Sequence, residues 1–361
     1  MQAIGYRNPG PLGGTGPLGG AGPLGGAGSL GGANPLGGAG PLVSLDMPQP
    51  ELRPRDLLVR VRAVSVNPVD TKQRMNAAPP PGTARILGFD ATGIVEAVGP
   101  DVRHYRVGDA VWYAGAIDRP GSNAEFQAVD ERLVGHKPAS LDFADAAALP
   151  LTAITAWELL FDRLGQPHGR KAAGGTLLIV GGAGGVGSIL IQLARRLTGL
   201  TVIATASRPE TVAWVKDLGA HHAIDHSGPL DEALKAIGFD GVEMIASLTQ
   251  TERHLDAILR ALKPQGRLAV IDDPKTLDIV PFKRKSLSVH WELMFTRSLF
   301  GTPDMDEQRR LLDEVSALVD AGVIRSTVTE RLGTLSPQTL TEAHRRVESG
   351  RTIGKIVLGG L

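Results

Sequence analysis

The chain has 361 residues, 38 basic and 38 acidic side chains for a formal net charge of zero, and no cysteine. Balanced charge without a basic block speaks against a nucleic-acid or anionic-membrane partner, and a chain without cysteine has no disulfides, thiolate metal ligands or catalytic thiol. The length allows two domains with a substantial core. No apolar run reaches about 18 residues and the N-terminus lacks the apolar core of a secretory signal, so a cytoplasmic protein is expected.

The first unusual stretch is Gly10 to Leu42, a near-hexapeptide repeat of Gly-Pro-Leu-Gly-Gly-Ala with glycine at every third place except Asn34. Period-three glycine suggests collagen, but a triple helix needs three chains and an unbroken register. Few large apolar side chains are present to offset ordering entropy. The expectation is a flexible insertion in a surface loop, with polyproline-II-like extension as the alternative. Residues 52 to 150 then read as short strands and glycine turns: Asp56 to Val66, Ala91 to Gly99 and Arg106 to Trp112.

Beyond residue 150 the pattern changes. Thr176-Leu-Leu-Ile-Val180 is an apolar strand that stops at a glycine cluster and passes directly into a helix-period run. Gly182, Gly184 and Gly187 take the three glycine places of G-x-G-x-x-G: a sharp turn, close approach of main-chain amides to a pyrophosphate, and tight packing of helix on strand. The helix N-terminus, with Gly185 and Val186, then faces the phosphates. This is the signature of a dinucleotide site. The next strand, Thr201 to Ala206, ends in Ser207 and Arg208 where an NAD site usually carries an acidic residue. A hydroxyl and a guanidinium suit the 2′-phosphate of NADP(H), while Glu210 lies close enough to keep NAD as the alternative. Helices over Thr211 to Leu218, Leu230 to Ile237 and His254 to Leu262 alternate with strands over His222 to Ile224, Gly241 to Ser247 and Gly266 to Ile271. Ser286 to Met294 reads as a final strand. Such alternation implies a doubly wound parallel sheet in an α/β fold. From Ser326 the chain returns to the β-rich part and closes with Gly354 to Leu358.

These pieces in this order resemble the medium-chain dehydrogenase/reductase superfamily. The resemblance rests on Ser65-Val-Asn-Pro-Val-Asp-Thr-Lys72, on Leu87-Gly-Phe-Asp-Ala-Thr-Gly-Ile-Val-Glu96, on Leu149-Pro-Leu-Thr-Ala-Ile-Thr-Ala-Trp157, on the glycine loop and on Gly354-Lys355. Ile271-Asp-Asp-Pro274 and Lys283 to Met294 point to the quinone-oxidoreductase branch, in the subset called zinc-type alcohol dehydrogenase-like. The resemblance implies a GroES-like β domain over 1–150, with 10–42 as its insertion, a Rossmann domain over 151–300, and a return over 301–361.

It also implies an active site in the cleft between domains, with Asn67 near the nicotinamide ribose and substrate, Thr152 beside the carboxamide, and Gly354 with Lys355 closing over the cofactor. Asn67 before a proline is equally a turn residue, and Thr152 equally a helix cap. Many relatives carry a tyrosine where this chain has Lys72, a residue that could stabilise an oxyanion. Tyr113 and the loop Arg119 to Asn123 are read as cleft-facing, with a half-buried strand aromatic as the alternative for Tyr113. The superfamily's first zinc ligand, a cysteine, falls near Asn67, and its Gly-His-Glu motif reads Gly88-Phe89-Asp90, so no bound zinc is expected. His221, His222 and His226 cluster with Asp225 in sequence, but neighbours on a strand face opposite ways. Trp291, Met294 and Phe295 suit either a substrate pocket or an edge strand that pairs with a second copy into a homodimer. The expected activity is NADPH-dependent reduction of a quinone or α,β-unsaturated carbonyl, an electrophilic small molecule. A zinc alcohol dehydrogenase and a non-catalytic NADPH-binding sensor are the alternatives.

Overall fold

The computed structural model describes residues 1–12, 41–169 and 174–361. Nearly all of the glycine-rich repeat, and with it the expectation of a flexible insertion, therefore lies outside the described residues. The strand Thr176–Val180 is buried at every position because helices cover both faces of its sheet, which is why it reads as an unbroken apolar run. It is the third of six hydrogen-bonded parallel strands. Across the sheet these are His222–Ile224, Thr201–Thr205, Thr176–Val180, Val242–Ser247, Leu262–Val270 and Ser288–Trp291. Numbered in chain order they run 3-2-1-4-5-6, the order of dinucleotide-binding sheets, whose ligands lie beyond the carboxyl ends of the strands where the order reverses.

The β-rich domain is a seven-stranded sheet along Val328–Thr334, Lys355–Gly359, Asp56–Ser65, Ala91–Val98, Ala110–Tyr113 and Val134–His136, with Phe126–Asp130 also paired to Asp56–Ser65. A three-stranded sheet of Val43–Asp46, Gln2–Tyr6 and Arg85–Ile86 lies beside it. The closing strand runs antiparallel to Asp56–Ser65 with Val357 opposite Ser65, and Val66 N–H donates to the Ile356 carbonyl at 3.3 Å. That register carries Lys355 to the side of Asn67, across most of the chain's length.

Two helices interrupt the stretch read as strands and turns. Pro68–Asn76 follows Asn67, and Phe143–Ala147 follows Asp142. Pro68 sits at the first helical position, and the Asp70 carboxylate accepts the Asn67 main-chain N–H at 2.8 Å, a local cap that the strand-rich surroundings mask in sequence. The helix expected from His254 begins at Thr251, and the strand after it begins at Leu262 rather than Gly266. Phe143–Arg163 is long and apolar enough to cross a membrane by length and composition, but 83 % of its apolar window is buried within this chain, as befits a core helical segment. The helix Glu307–Asp320 packs on Pro150–Trp157 and on Val134–His136, tying the two domains together.

Candidate functional site

The turn after Thr176–Val180 is made of glycine for three separate reasons. A Cβ on Gly182 would stand 2.8 Å from that of Ala204, and one on Gly187 would stand 2.5 Å from the carbonyl oxygens of Gly181 and Gly182. Both positions are closed by packing. Gly184 instead has only one atom within reach, the Gly181 oxygen at 3.6 Å, so its outer face is open. The helix Gly185–Leu197 starts here with no side-chain cap, so the N–H groups of Gly185, Val186 and Gly187 form a donor set at the positive end of the helix dipole. Gly181 carries φ +89°, a left-handed conformation suited to glycine, and donates to the Thr205 hydroxyl at 2.9 Å.

The opposite wall is made of side chains. A Cβ on Gly185 would meet the Lys355 stem at 2.8 Å and the Thr152 methyl at 3.1 Å, and Gly354 N–H donates to the Ala183 carbonyl at 2.8 Å. Thr152, Gly354 and Lys355 therefore do lie against the glycine loop. Thr152 does not cap its helix: Leu149 holds the cap position, and the Thr152 hydroxyl donates back to the Leu149 carbonyl at 3.1 Å. Nor does the Lys355 ammonium close over the loop. It donates to the Val66 carbonyl at 3.0 Å, to the Asn67 side-chain oxygen, and to Asp90 at 3.0 Å, which uses all three of its protons. Only its methylene stem faces Gly185.

Asp90 is the hub of this network. It is fully buried and accepts from Ser65 Oγ at 2.8 Å, Asn67 Nδ2 at 2.7 Å, Lys355 Nζ, and the Leu151 main-chain N–H at 2.7 Å. A buried ion pair persists only when its remaining hydrogen-bonding capacity is met, and here it is. Beside it, buried Asp70 accepts the N–H groups of Asn67 and Gly88; desolvation pushes its carboxyl up to about 7, against those two donors and Lys355, which favour the charged form. Asp70 and Asp90 are polar residues within recognisable motifs, yet their roles depend on partners up to 265 positions away.

Other expected residues sit elsewhere. Tyr113 is 0 % exposed within the hydrophobic core, and its hydroxyl has no hydrogen-bond partner among the described residues. Burial in that apolar surrounding raises its pKa further above the usual tyrosine value, so it is a core aromatic rather than a solvent-connected acid. Lys72 is half exposed and ion-paired to Asp273 at 2.6 Å, bridging the helix Pro68–Asn76 and the loop after Leu262–Val270. Ser207 is exposed, and Arg208 bonds the Arg351 carbonyl at 2.9 Å and Glu210 at 3.3 Å. Trp214, absent from the sequence reading, donates to Ser188 Oγ at 2.8 Å and lies 3.3 Å from where a Gly354 Cβ would be. Met294 and Phe295 are buried, with Phe295 edge-on to Phe89 at 5.4 Å, whereas Trp291 is 53 % exposed on the edge strand.

The donor set does not fit a catalytic zinc. The amide of Asn67 and the ring of Phe89 stand at two of the expected ligand places, and every oxygen of Asp90 is engaged. Among the described residues no three His, Cys, Asp or Glu side chains are grouped to hold a metal. His221 Nδ1 accepts from Val202 N–H at 2.9 Å, His222 packs on Phe239, and His226 on His254, so the histidines do not converge.

Comparison with known proteins matches the same two halves. Residues 53–139 fit the alcohol dehydrogenase GroES-like domain, and residues 218–358 fit the family described as zinc-binding dehydrogenase. A zinc-type alcohol dehydrogenase-like protein of Staphylococcus aureus is 40 % identical over 84 % of this chain and 90 % of its own length. The chain belongs to the medium-chain dehydrogenase/reductase superfamily. The 2-methylene-furan-3-one reductase of Solanum lycopersicum is 31 % identical over 86 % of this chain and 73 % of its own length. A Rhizobium etli crystal structure described as a candidate zinc-dependent alcohol dehydrogenase superposes with TM-score 0.89 at 51 % identity, covering 100 % of this chain and 98 % of that one. A mycobacterial structure complexed with NADPH superposes with TM-score 0.78 at 26 % identity, covering 99 % of each chain. This superfamily member is accordingly an oxidoreductase built for a nicotinamide cofactor.

Proposed function

We propose that the chain transfers hydride from NADPH to an electron-poor acceptor, a quinone or an α,β-unsaturated carbonyl, without a metal. The observation that carries this reading is the closed network around Asp90. It uses up the one carboxylate at the family's metal place and leaves an amide and an apolar ring beside it. Without a Lewis acid, activating an alcohol is difficult, whereas an already polarised acceptor needs only orientation and stabilisation of developing negative charge. The nicotinamide supplies the hydride. The chain's own share begins with the uncapped amides of Gly185, Val186 and Gly187, which hold a pyrophosphate, and Thr152 and the Lys355 stem set the depth of the cleft floor. Asn67 keeps its amide fixed between Asp90 and Lys355, and the N–H not given to Asp90 is the donor available to a substrate oxygen. The reductase from Solanum lycopersicum, whose named substrate is an enone, supports the acceptor class.

NADPH is favoured over NADH because Ser207 and Arg208 follow the strand Thr201–Thr205 where an NAD site carries an acidic residue, and Glu210 is paired with Arg208 at 3.3 Å. The test is cofactor consumption by chelator-treated protein with quinones, alkenals and simple aldehydes. Turnover of a quinone or alkenal without added metal is expected, as is a far larger rise in dissociation constant for NADPH than for NADH in Arg208→Asp. Activity appearing only with zinc, or equal effects on the two cofactors, would overturn the corresponding part. A homodimer formed through the edge strand Ser288–Trp291 is part of the same proposal, because Trp291 and Leu293 expose about half their surface there. Light scattering should return twice the chain mass, and a monomer would remove it.

A further inference from the structure

Away from the cleft, two glutamates are buried against each other. Glu158 is 1 % exposed and opens the π-type turn Glu158–Arg163; Glu292 is 3 % exposed and directly follows the edge strand Ser288–Trp291. Both carboxyl groups converge on one guanidinium, Glu292 Oε2 at 2.8 Å from Arg163 Nε and Glu158 Oε2 at 4.0 Å from Arg163 Nη2, and two carboxyls buried this close repel unless one carries a proton. The remaining partners fit that state. Glu292 Oε2 accepts from Arg163 Nε at 2.8 Å, Glu158 accepts from Arg297, and Glu292 Oε1 has no donor other than the one a protonated Glu158 would supply.

Arg297 leaves the pair through Asp162 at 3.2 Å and Asp304 at 3.1 Å. Glu307, Arg310 and Glu314 line a small cavity of about 130 Å³ beside Arg297, while His290 feels the charges of both Arg163 and Arg267. With both glutamates ionised, the immediate cluster of Glu158, Glu292, Asp162, Asp304, Arg163 and Arg297 would hold four negative charges against two positive ones. The chain between Glu292 and Arg297 carries Phe295, whose ring meets Phe89 one residue from Asp90.

We propose that Glu158 and Glu292 share a single proton, carried by Glu158, and that this proton pins the segment Glu292–Arg297 and its Phe295 against the β-rich domain as a pH-sensitive clamp. The proposal does not depend on the cofactor or substrate. Burial, and secondarily the Glu292 charge, push Glu158 up to about 9 from a carboxylate's ordinary 4.5. A folded-state value raised in this way makes the clamp's contribution to stability complete below about pH 4.5. That contribution declines as the pH rises and is gone above about 9.

The test is difference infrared spectroscopy of the whole protein at pH 8, read with thermal unfolding from pH 5 to 9. A protonated-carboxyl band is expected in the wild type. It should be lost in Glu158→Gln, whereas Glu292→Gln, which removes the neighbouring charge but not the burial, should lower the pH at which the band disappears. The unfolding temperature of Glu158→Gln should gain on the wild type steadily as the pH rises. A wild type without the band, or a stability difference between Glu158→Gln and wild type that is the same at pH 5 and pH 9, would overturn the proposal.

Discussion

On the nucleotide side of the cleft the site is main chain: three glycines, a left-handed turn at Gly181 and the uncapped start of Gly185–Leu197. On the other side it is a knot of side chains from Ser65, Asn67, Asp90 and Lys355, with the Leu151 N–H added. The first wall must present donors to a ligand that comes and goes, so its capacity is left open. The second wall satisfies its own groups apart from one N–H of Asn67, and so its main part is to position. The two should therefore respond differently to substitution.

The largest effect is expected in the closed wall. Replacing Lys355 by Met leaves Asp90 buried without its countercharge, a change that costs on the order of 3–5 kcal/mol. Equilibrium denaturation should show this loss, and Asp90→Asn added to Lys355→Met should recover part of it, since the uncompensated charge is then gone. Additive losses in the double-mutant cycle would mean that Lys355 and Asp90 contribute independently, contrary to the shared network.

The glycine loop sharpens the contrast because it contains both kinds of position. Gly187→Ala drives a Cβ to 2.5 Å from two main-chain oxygens and should destabilise the fold by roughly 1–3 kcal/mol, the range of overpacked cores. Gly184→Ala meets nothing closer than 3.6 Å within the chain, so its stability should change little. Its methyl group projects toward the ligand side, and NADPH affinity should fall about tenfold, equivalent to about 1.4 kcal/mol. Unfolding curves and cofactor titration of the same two variants separate these outcomes. A Gly184→Ala protein that unfolds easily but binds NADPH normally would reverse the assignment.

The same contrast explains what could be read from the sequence. The glycine loop depends on residues within five positions of one another in one strand–turn–helix unit, so Gly182, Gly184 and Gly187 disclose both the fold and the cofactor class. Strands of the parallel sheet were visible because burial on both faces makes them uniformly apolar. The helix Pro68–Asn76 is hard to see in the sequence because it is short, polar and fixed by the Asn67–Asp70 cap rather than by a hydrophobic stripe. The methylene stem of Lys355 lies against Gly185, while its ammonium turns away into the β-rich domain. Only the register of the closing strand reveals that Asn67, Val66 and Asp90 surround it. Tyr113 misled for a related reason: strand alternation indicates two faces but not which one is sealed by the rest of the domain.

The smallest effect tests the remaining link between the walls. Lys72 and Asp273 join the two domains at 2.6 Å, but their side chains are 50 % and 77 % exposed. An ion pair that wet contributes about 0–1 kcal/mol and is screened by salt. Lys72→Ala should therefore shift stability by less than about 1 kcal/mol at low ionic strength, with the difference fading near 1 M salt. If Lys72 serves only as this tie, kcat for the quinone or alkenal reaction should stay within about threefold. If instead the ammonium leaves Asp273 to meet an oxyanion during the reaction, kcat should drop by about a hundredfold, the scale of losing one such donor. Asp273→Ala separates the cases, because freeing Lys72 should leave kcat unchanged where Lys72 is a mere tie but raise it where Asp273 competes with the substrate for that charge.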